Sequence, residues 1–241
     1  EVDNEEIIGI EAGYRLRAGN FSLDLNGYYT SWGNRFLGGS FIEGDPTSTN
    51  PVEQKDRYQR FTNITQVHKG FEFEARYRYS SAFQFRAYGS IGNWKYDGST
   101  PFQTREADTN VLLEDGSVNL TGTKVGNAPQ TSFGFGFKFN VVGDLTIDAD
   151  YNVYSNLYGF VDARDVVTAS QEGTVYQAEG LPAYDVLDAG ISYKFRFGTS
   201  DMTVRGNVYN AANRMYLSQR DSFGYFWGNG RTWNLSLRYN F

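Results

Sequence analysis

The sequence predicts an all-β chain, a transmembrane antiparallel β-barrel wall of about nine strands. Three observations predict it. Apolar and polar residues alternate with period two in runs that pass ten residues, the connections between runs alternate between short and long, and mid-strand charge falls on one of the two faces only. Composition agrees: aromatics make up 17% of the 241 residues, with 18 Tyr and 19 Phe, and 27 Gly stand against 5 Pro. Such a chain favours strands and turns over helices.

Taken in order, residues 8–16 pair with 21–29 around Gly19-Asn20 as a first hairpin. Phe71, Phe73, Ala75, Tyr77 and Tyr79 then oppose Glu72, Glu74, Arg76 and Arg78, and after Ser80-Ser81 come Phe83, Phe85 and Ala87 against Gln84 and Arg86. Phe133, Phe135, Phe137 and Phe139 alternate with Gly134, Gly136, Lys138 and Asn140. Across a turn at Val142-Gly143-Asp144, Leu145, Ile147, Ala149, Tyr151 and Val153 alternate with Thr146, Asp148, Asp150 and Asn152. Leu187, Ala189, Ile191, Tyr193, Phe195 and Phe197 oppose Asp188, Ser192, Lys194 and Arg196, followed by Met202, Val204 and Val208 against Thr203, Arg205 and Asn207. The last strand sets Trp233, Leu235, Leu237, Tyr239 and Phe241 against Thr232, Asn234, Ser236, Arg238 and Asn240.

These runs exceed the roughly 9–11 residues needed to cross a bilayer. Short turns are expected near residues 18–20, 80–82, 141–144 and 198–201, and long polar segments over 34–62, 98–127, 160–183 and 213–230. Short turns on one rim and long loops on the other are the arrangement of the bacterial cell outer membrane. A soluble sandwich would use strands of roughly 5–6 residues around a core about 10 Å thick. A cation facing lipid at the midplane costs about 2–4 kcal/mol, so the charged face belongs to a hydrated interior and the aromatic face to lipid. Tyr79, Phe83, Phe139, Phe197, Tyr239 and Phe241 suit an interfacial girdle.

No stretch approaches the roughly 18 apolar residues of a transmembrane helix. The opening residues, Glu1-Val2-Asp3-Asn4-Glu5-Glu6, lack the pattern of a signal peptide, so that signal was removed or the true N-terminus lies upstream. Single-chain barrels have an even strand number, which makes about nine strands a portion of a larger barrel.

The net charge of -6 argues against nucleic acid as a partner. With no Cys there is neither a disulfide nor a thiolate metal site, and no cofactor is called for. His68 is the only imidazole, and an outer-rim residue is a simpler reading of it than a triad or metal site. Glu72/Glu74 and Asp148/Asp150 lie about 6–7 Å apart along a strand, which overlaps glycosidase carboxylate spacing. Interior charges paired with Arg76, Arg78 or Lys194 explain them better. Gly134-Phe135-Gly136 precedes no helix, so these glycines relieve crowding and do not cradle phosphate. Asp108, Asp162, Asp165 and Glu172 offer oxygen ligands for Ca²⁺ but lack EF-hand spacing, and no metal site is assigned. In the last long loop, Phe223, Tyr225, Phe226, Trp227 and Asn229 are the best candidates for ligand contact, with interfacial or loop packing as the competing reading.

Gly9-Ile10-Glu11-Ala12-Gly13-Tyr14-Arg15 with Leu25-Asn26-Gly27-Tyr28-Tyr29, Gly70-Phe71-Glu72-Phe73-Glu74, Asn127-Ala128-Pro129 and Asn207-Val208-Tyr209-Asn210-Ala211-Ala212-Asn213-Arg214-Met215-Tyr216 form an ordered set. So does the terminal Arg238-Tyr239-Asn240-Phe241. This set resembles TonB-dependent outer-membrane receptors over essentially the whole chain, departing where Ala211 and Ala212 replace Leu-Phe. The resemblance implies the C-terminal portion of a barrel of about 22 strands, plugged by an N-terminal domain that carries the segment bound by the TonB complex. It implies active uptake of a scarce solute such as a siderophore, saccharide or cobalamin, and no enzyme. Glu72, Glu74, Arg76, Arg78, Asp148, Asp150, Lys194 and Arg196 would then face the lumen and plug. Trp233, Leu235, Leu237, Tyr239 and Phe241 would be read by the barrel assembly machinery. A passive porin, and after it a barrel enzyme resting on His68, are the alternatives.

Deleting Phe241, or replacing it with Ala, is expected to lower the folded yield in the outer membrane several-fold. Heat-modifiable migration on gels measures this.

Overall fold

The computed structural model describes residues 4–44 and 54–240. Its strands are β1 (Glu6–Ala18), β2 (Phe21–Glu43), β3 (Lys55–Arg78), β4 (Phe83–Asp97), β5 (Ser99–Glu106), β6 (Leu112–Asn119), β7 (Thr131–Asn140), β8 (Leu145–Ser155), β9 (Leu157–Tyr158), β10 (Gly180–Leu181), β11 (Tyr184–Phe197), β12 (Ser200–Tyr209), β13 (Leu217–Asp221), β14 (Gly224–Trp227) and β15 (Thr232–Asn240), with one helix, α1 (Ala163–Gln171). The main sheet runs β1-β2-β3-β4-β7-β8-β11-β12-β15, antiparallel at each step. These nine strands are the expected wall, and the sheet is open, with β1 and β15 at its two ends.

The register aligns the alternation across strands. Leu16 faces Leu23, which faces Ala75, Ala87, Phe135 and Tyr151 in turn, ending at Leu187. Nearer the short turns, Phe21, Tyr77, Phe85, Phe137, Ala149, Ala189, Val208 and Trp233 form a second such row. This face is apolar and open: Trp233 is 77% and Leu235 71% exposed. A one-residue slip would exchange the two faces wholesale, so solvent preference fixes the pairing. The four short turns lie where expected, between β1 and β2, β3 and β4, β7 and β8, and β11 and β12. Gly19, Gly143 and Gly198 hold the positive φ that three of them require.

At the opposite rim the structure corrects the expected long segments. Residues 34–62 are mostly strand, since β2 continues to Glu43 and β3 begins at Lys55, while 45–53 lie outside the described residues. Asn34 and Asn63 adopt positive φ, and the β2–β3 register shifts between Trp32 and Leu37. Such bulges reset which residues share a face, which breaks period two at these points. The expected loop 98–127 contains the β5–β6 hairpin on the edge of β3, 160–183 contains α1, and 213–230 contains the β13–β14 hairpin.

The hydrophobic core sits here, away from the wall. Phe61, Ile64, Tyr96, Phe102, Val118, Leu120, Val161 and Val166 pack together, with Phe61 fully buried. Helix α1 forms locally because Asp162 caps it, accepting from the Arg164 N–H at 2.9 Å, and Ala163, Val166 and Val167 supply one buried stripe. It stops at Gly173, whose positive φ closes the last turn.

Phe61→Ala is expected to cost about 3–5 kcal/mol of this packing. Limited trypsin digestion should then cut at Arg105, Lys124 or Arg164 while the wall strands stay protected.

Candidate functional site

Opposite the apolar face, the wall presents a band of paired charge. Arg205 donates two hydrogen bonds to Asp148, at 2.8 and 2.9 Å, and Arg86 donates from Nε to Asp150 at 2.8 Å. Glu74 accepts from Arg76 at 2.7 Å, and Arg196 meets Asp201 at 3.2 Å. Arg15 and Arg17 both reach Asp24. The expected partners therefore hold for Glu74, whereas Asp148 and Asp150 take Arg205 and Arg86 in place of Arg78 or Lys194. Cross-strand position explains this. Gly136 stands between Arg86 and Asp150 in the β4–β7–β8 row, and a side chain there would collide with the Asp150 carboxylate. A flat backbone thus lets the guanidinium reach across a strand. Glu72, Arg78 and Lys194 lie on the same face, opposite Ser90, Gln84 and Thr203. Fork-to-carboxylate pairs of this kind give direction as well as attraction.

Above the charged band, the same face carries two aromatic clusters that sequence reading missed. His68 lies between Trp32 and Trp94, with ring centroids 6.2 and 5.3 Å away. Trp94 donates its indole N–H to the Tyr28 hydroxyl at 2.9 Å, and the Arg35 guanidinium sits 5.1 Å from the Trp32 ring. His68 is therefore an interior-phase ring packed within β3, with Nε2 3.3 Å from the Gln66 carboxamide oxygen. On the far side, Tyr184 stacks on Tyr216 at 4.2 Å and lies 5.0 Å from Tyr154. Between these, the Tyr88 ring lies across Gly134 and donates to Asn152 at 2.6 Å. A signal for these residues existed: Tyr28, Trp32, Tyr88, Trp94, Tyr154 and Tyr184 occupy the polar phase of their strands. They share that face with the charged side chains.

The last loop is a hairpin whose aromatics are spread out. Phe223 sits at its tip, 93% exposed, and Phe226 and Trp227 are open to solvent. Tyr225 donates to Glu179 at 2.6 Å, Arg220 pairs with the same carboxylate at 3.3 Å, and the Asn229 carbonyl accepts from Asn210 at 3.0 Å. The first two contacts tie the hairpin to the segment ending at β10, and the third ties the residues after it to the end of β12. A cleft of about 210 Å³ lies beneath the loops, bounded by Arg35, Gln66, Tyr96, Phe160 and Val161. Glu106, on β5, is held below the usual carboxylate range by the Thr109 hydroxyl and by Arg57. Burial, reinforced by Asp162, pushes Asp165 up. Among the described residues, no three His, Cys, Asp or Glu side chains are grouped to hold a metal ion, and Asp162 is spent on the helix cap.

The family described as TonB dependent receptor-like, beta-barrel matches residues 2–211. This chain belongs to the TonB-dependent receptor β-barrel family. Among solved structures, the copper transporter OprC superposes on 100% of this chain with a TM-score of 0.60 at 11% identity. P. aeruginosa FpvA bound to heterologous pyoverdines covers 98% at 0.57 and 15%, and the FpvAI–pyocin S2 complex covers 98% at 0.57 and 14%. At such identities the likeness concerns the fold. The chain spans 32%, 27% and 28% of those three chains respectively. No curated protein sequence matches it.

Gly134→Ala is expected to destabilise this receptor wall by about 1–3 kcal/mol, because the new Cβ meets the Tyr88 ring. Adding Tyr88→Ala should restore much of the loss, and the thermal shift from folded to unfolded gel migration compares the three forms.

Proposed function

We propose that this chain is the C-terminal portion of the barrel of a TonB-dependent outer-membrane receptor that takes up a scarce solute, such as a siderophore, a saccharide or cobalamin. The two-faced sheet carries the reading: one face is aromatic and open to its surroundings, and the other is lined with matched charge and interior aromatics. In this reading the first face touches outer-membrane lipid. The second face, with Glu72, Glu74, Arg76, Arg78, Asp148, Asp150, Lys194 and Arg196, faces the lumen and the plug. Pairing among these groups leaves hydrogen-bonding capacity for a plug to engage without stranding bare charge.

Solute contact then divides by height. Tyr28, Trp32, Trp94, Tyr184 and Tyr216 supply stacking surfaces on the interior face, and Phe223, Tyr225, Phe226, Trp227 and Asn229 supply an outer contact. Trp233, Leu235, Leu237, Tyr239 and Phe241 serve the barrel assembly machinery, with Phe241 outside the described residues. Energy comes from the TonB complex through the plug, and the barrel performs no covalent chemistry.

Uptake of radiolabelled ferric siderophores, cobalamin and oligosaccharides by cells dependent on the complete receptor tests this. Uptake of one solute class is expected to fall to background on loss of TonB or collapse of the proton gradient. Undiminished uptake under both conditions would make the protein a passive channel.

A further inference from the structure

Strand phase places one group of cations on the face that is otherwise apolar. On β4, Ile91, Asn93 and Lys95 continue the phase of Phe83, Phe85 and Ala87, and the β3–β4 register runs without a shift from Arg78 to Thr65. Lys69 stands opposite Asn93 on β3, and Lys124, in the segment after β6, forms a β-bridge with Lys95. Directly opposite residues share a face, and their diagonal neighbours lie roughly 7–8 Å apart. Lys69, Lys95 and Lys124 therefore gather on the apolar side of the sheet at its loop end, just above the exposed side chains of Phe71, Ile91 and Phe133.

The protein does not answer this charge. The Lys124 ammonium donates to the Asn93 carboxamide oxygen at 2.9 Å and rests 5.6 Å from the Tyr158 ring centre. Among the described residues none of the three lysines forms an ion pair, whereas Arg86 and Arg205 on the opposite face are matched by Asp150 and Asp148. Asp97, two residues further out on β4, forms no ion pair with them, so the cluster keeps an excess of positive charge in a chain whose net charge is -6. Burial, together with the neighbouring Lys95, holds the Lys124 ammonium below the usual lysine range. An anion set among like charges relieves such a strain.

The position selects the chemistry of that anion. A lysine facing lipid is costly at the midplane, and the cost fades toward the headgroups. At headgroup height a cluster of basic side chains meets anionic lipid, and an ammonium takes phosphate as a compact point charge. A free anion or an acidic peptide would use the lysines and leave Phe71, Ile91 and Phe133 uncovered. A phosphorylated lipid uses both, its phosphate on the lysines and its acyl chains along the apolar row.

We propose that Lys69, Lys95 and Lys124 bind the phosphorylated headgroup of an outer-leaflet lipid, with Asn93 positioning Lys124. The proposal rests on the reading that the apolar face meets lipid, and it adds one fixed site to that surface.

Native mass spectrometry of the complete receptor tests it, using bisphosphorylated lipid A, the same lipid stripped of both phosphates, and inorganic phosphate as the soluble source. The bisphosphorylated lipid is expected to be retained about tenfold or more tightly than the stripped one, and an equal concentration of inorganic phosphate should not displace it. Lys69→Gln, Lys95→Gln and Lys124→Gln combined should abolish the preference. Lys138→Gln, which removes a cation from the opposite face, should leave it intact. Lys69→Glu alone, at an exposed position, should lower it about threefold or more, and it decides the matter if the triple form does not fold. Equal retention of the two lipids, displacement by inorganic phosphate, a preference that survives the triple change, or an equal loss with Lys138→Gln would overturn the site and leave the lipid-facing wall standing. Retention of neither lipid would overturn both.

Discussion

Pairing of backbone N–H and C=O groups between neighbouring strands is the constraint on which this molecule depends. In lipid no water is present to satisfy those groups, so a spanning sheet must satisfy them laterally, strand by strand. The nine-strand path does this from β1 to β15 without a break. Once the backbone is tied sideways, side chains have only two directions to point, and period two follows. Phe, Tyr and Leu take one direction and Asp, Glu and Arg the other. The ion pairs Arg86–Asp150 and Arg205–Asp148 span the sheet because the register sets their strands at the right height.

A wall of this kind has no hydrophobic core of its own, and the packing that would fill one appears elsewhere. The fully buried apolar side chains, Phe61, Ile64, Val118, Leu120, Val161 and Val166 among them, gather where β5, β6 and α1 fold over the outer ends of β2, β3 and β4. The molecule therefore has two regimes. In the spanning region apolar groups point outward, and in the loop region they point inward, as in a water-soluble domain. The bulges at Asn34 and Asn63 mark the transition, since they reset the strand phase there. This arrangement builds a packed cluster from segments whose sequence looks polar and irregular.

Much of the wall was legible in the sequence for that physical reason. Phe133 to Phe139 and Leu145 to Val153 alternate without error because each residue sees one solvent only. The turns at Gly19, Gly143 and Gly198 were legible because a tight reversal requires positive φ. The outer ends of β2 and β3 were not, because the bulges reset their phase and apolar residues such as Phe61 and Ile64 turn inward under β5, β6 and α1. Helix α1 was missed because nine residues among polar neighbours carry too short a stripe. At the candidate site, the charged residues were visible but two of their partners were not, since Arg86 reaches Asp150 only across Gly136. The stacking of His68 between Trp32 and Trp94 was not legible, because aromatic residues in the polar phase carry no hydrophobic signal of which neighbours they meet.

The account's central claim is that β8 has lipid on one side and water on the other. These 241 residues contain no Cys, so once any cysteine elsewhere in the complete receptor is replaced by Ser, single cysteines at successive positions from Thr146 to Val153 can carry spin labels in vesicles. Collision rates with oxygen and with a water-soluble nickel chelate would then be measured at each site. The account predicts oxygen maxima at Ile147, Ala149, Tyr151 and Val153 and nickel maxima at Thr146, Asp148, Asp150 and Asn152. Rates without a period of two, or odd-numbered positions shielded from both reagents as in a sandwich core, would contradict it.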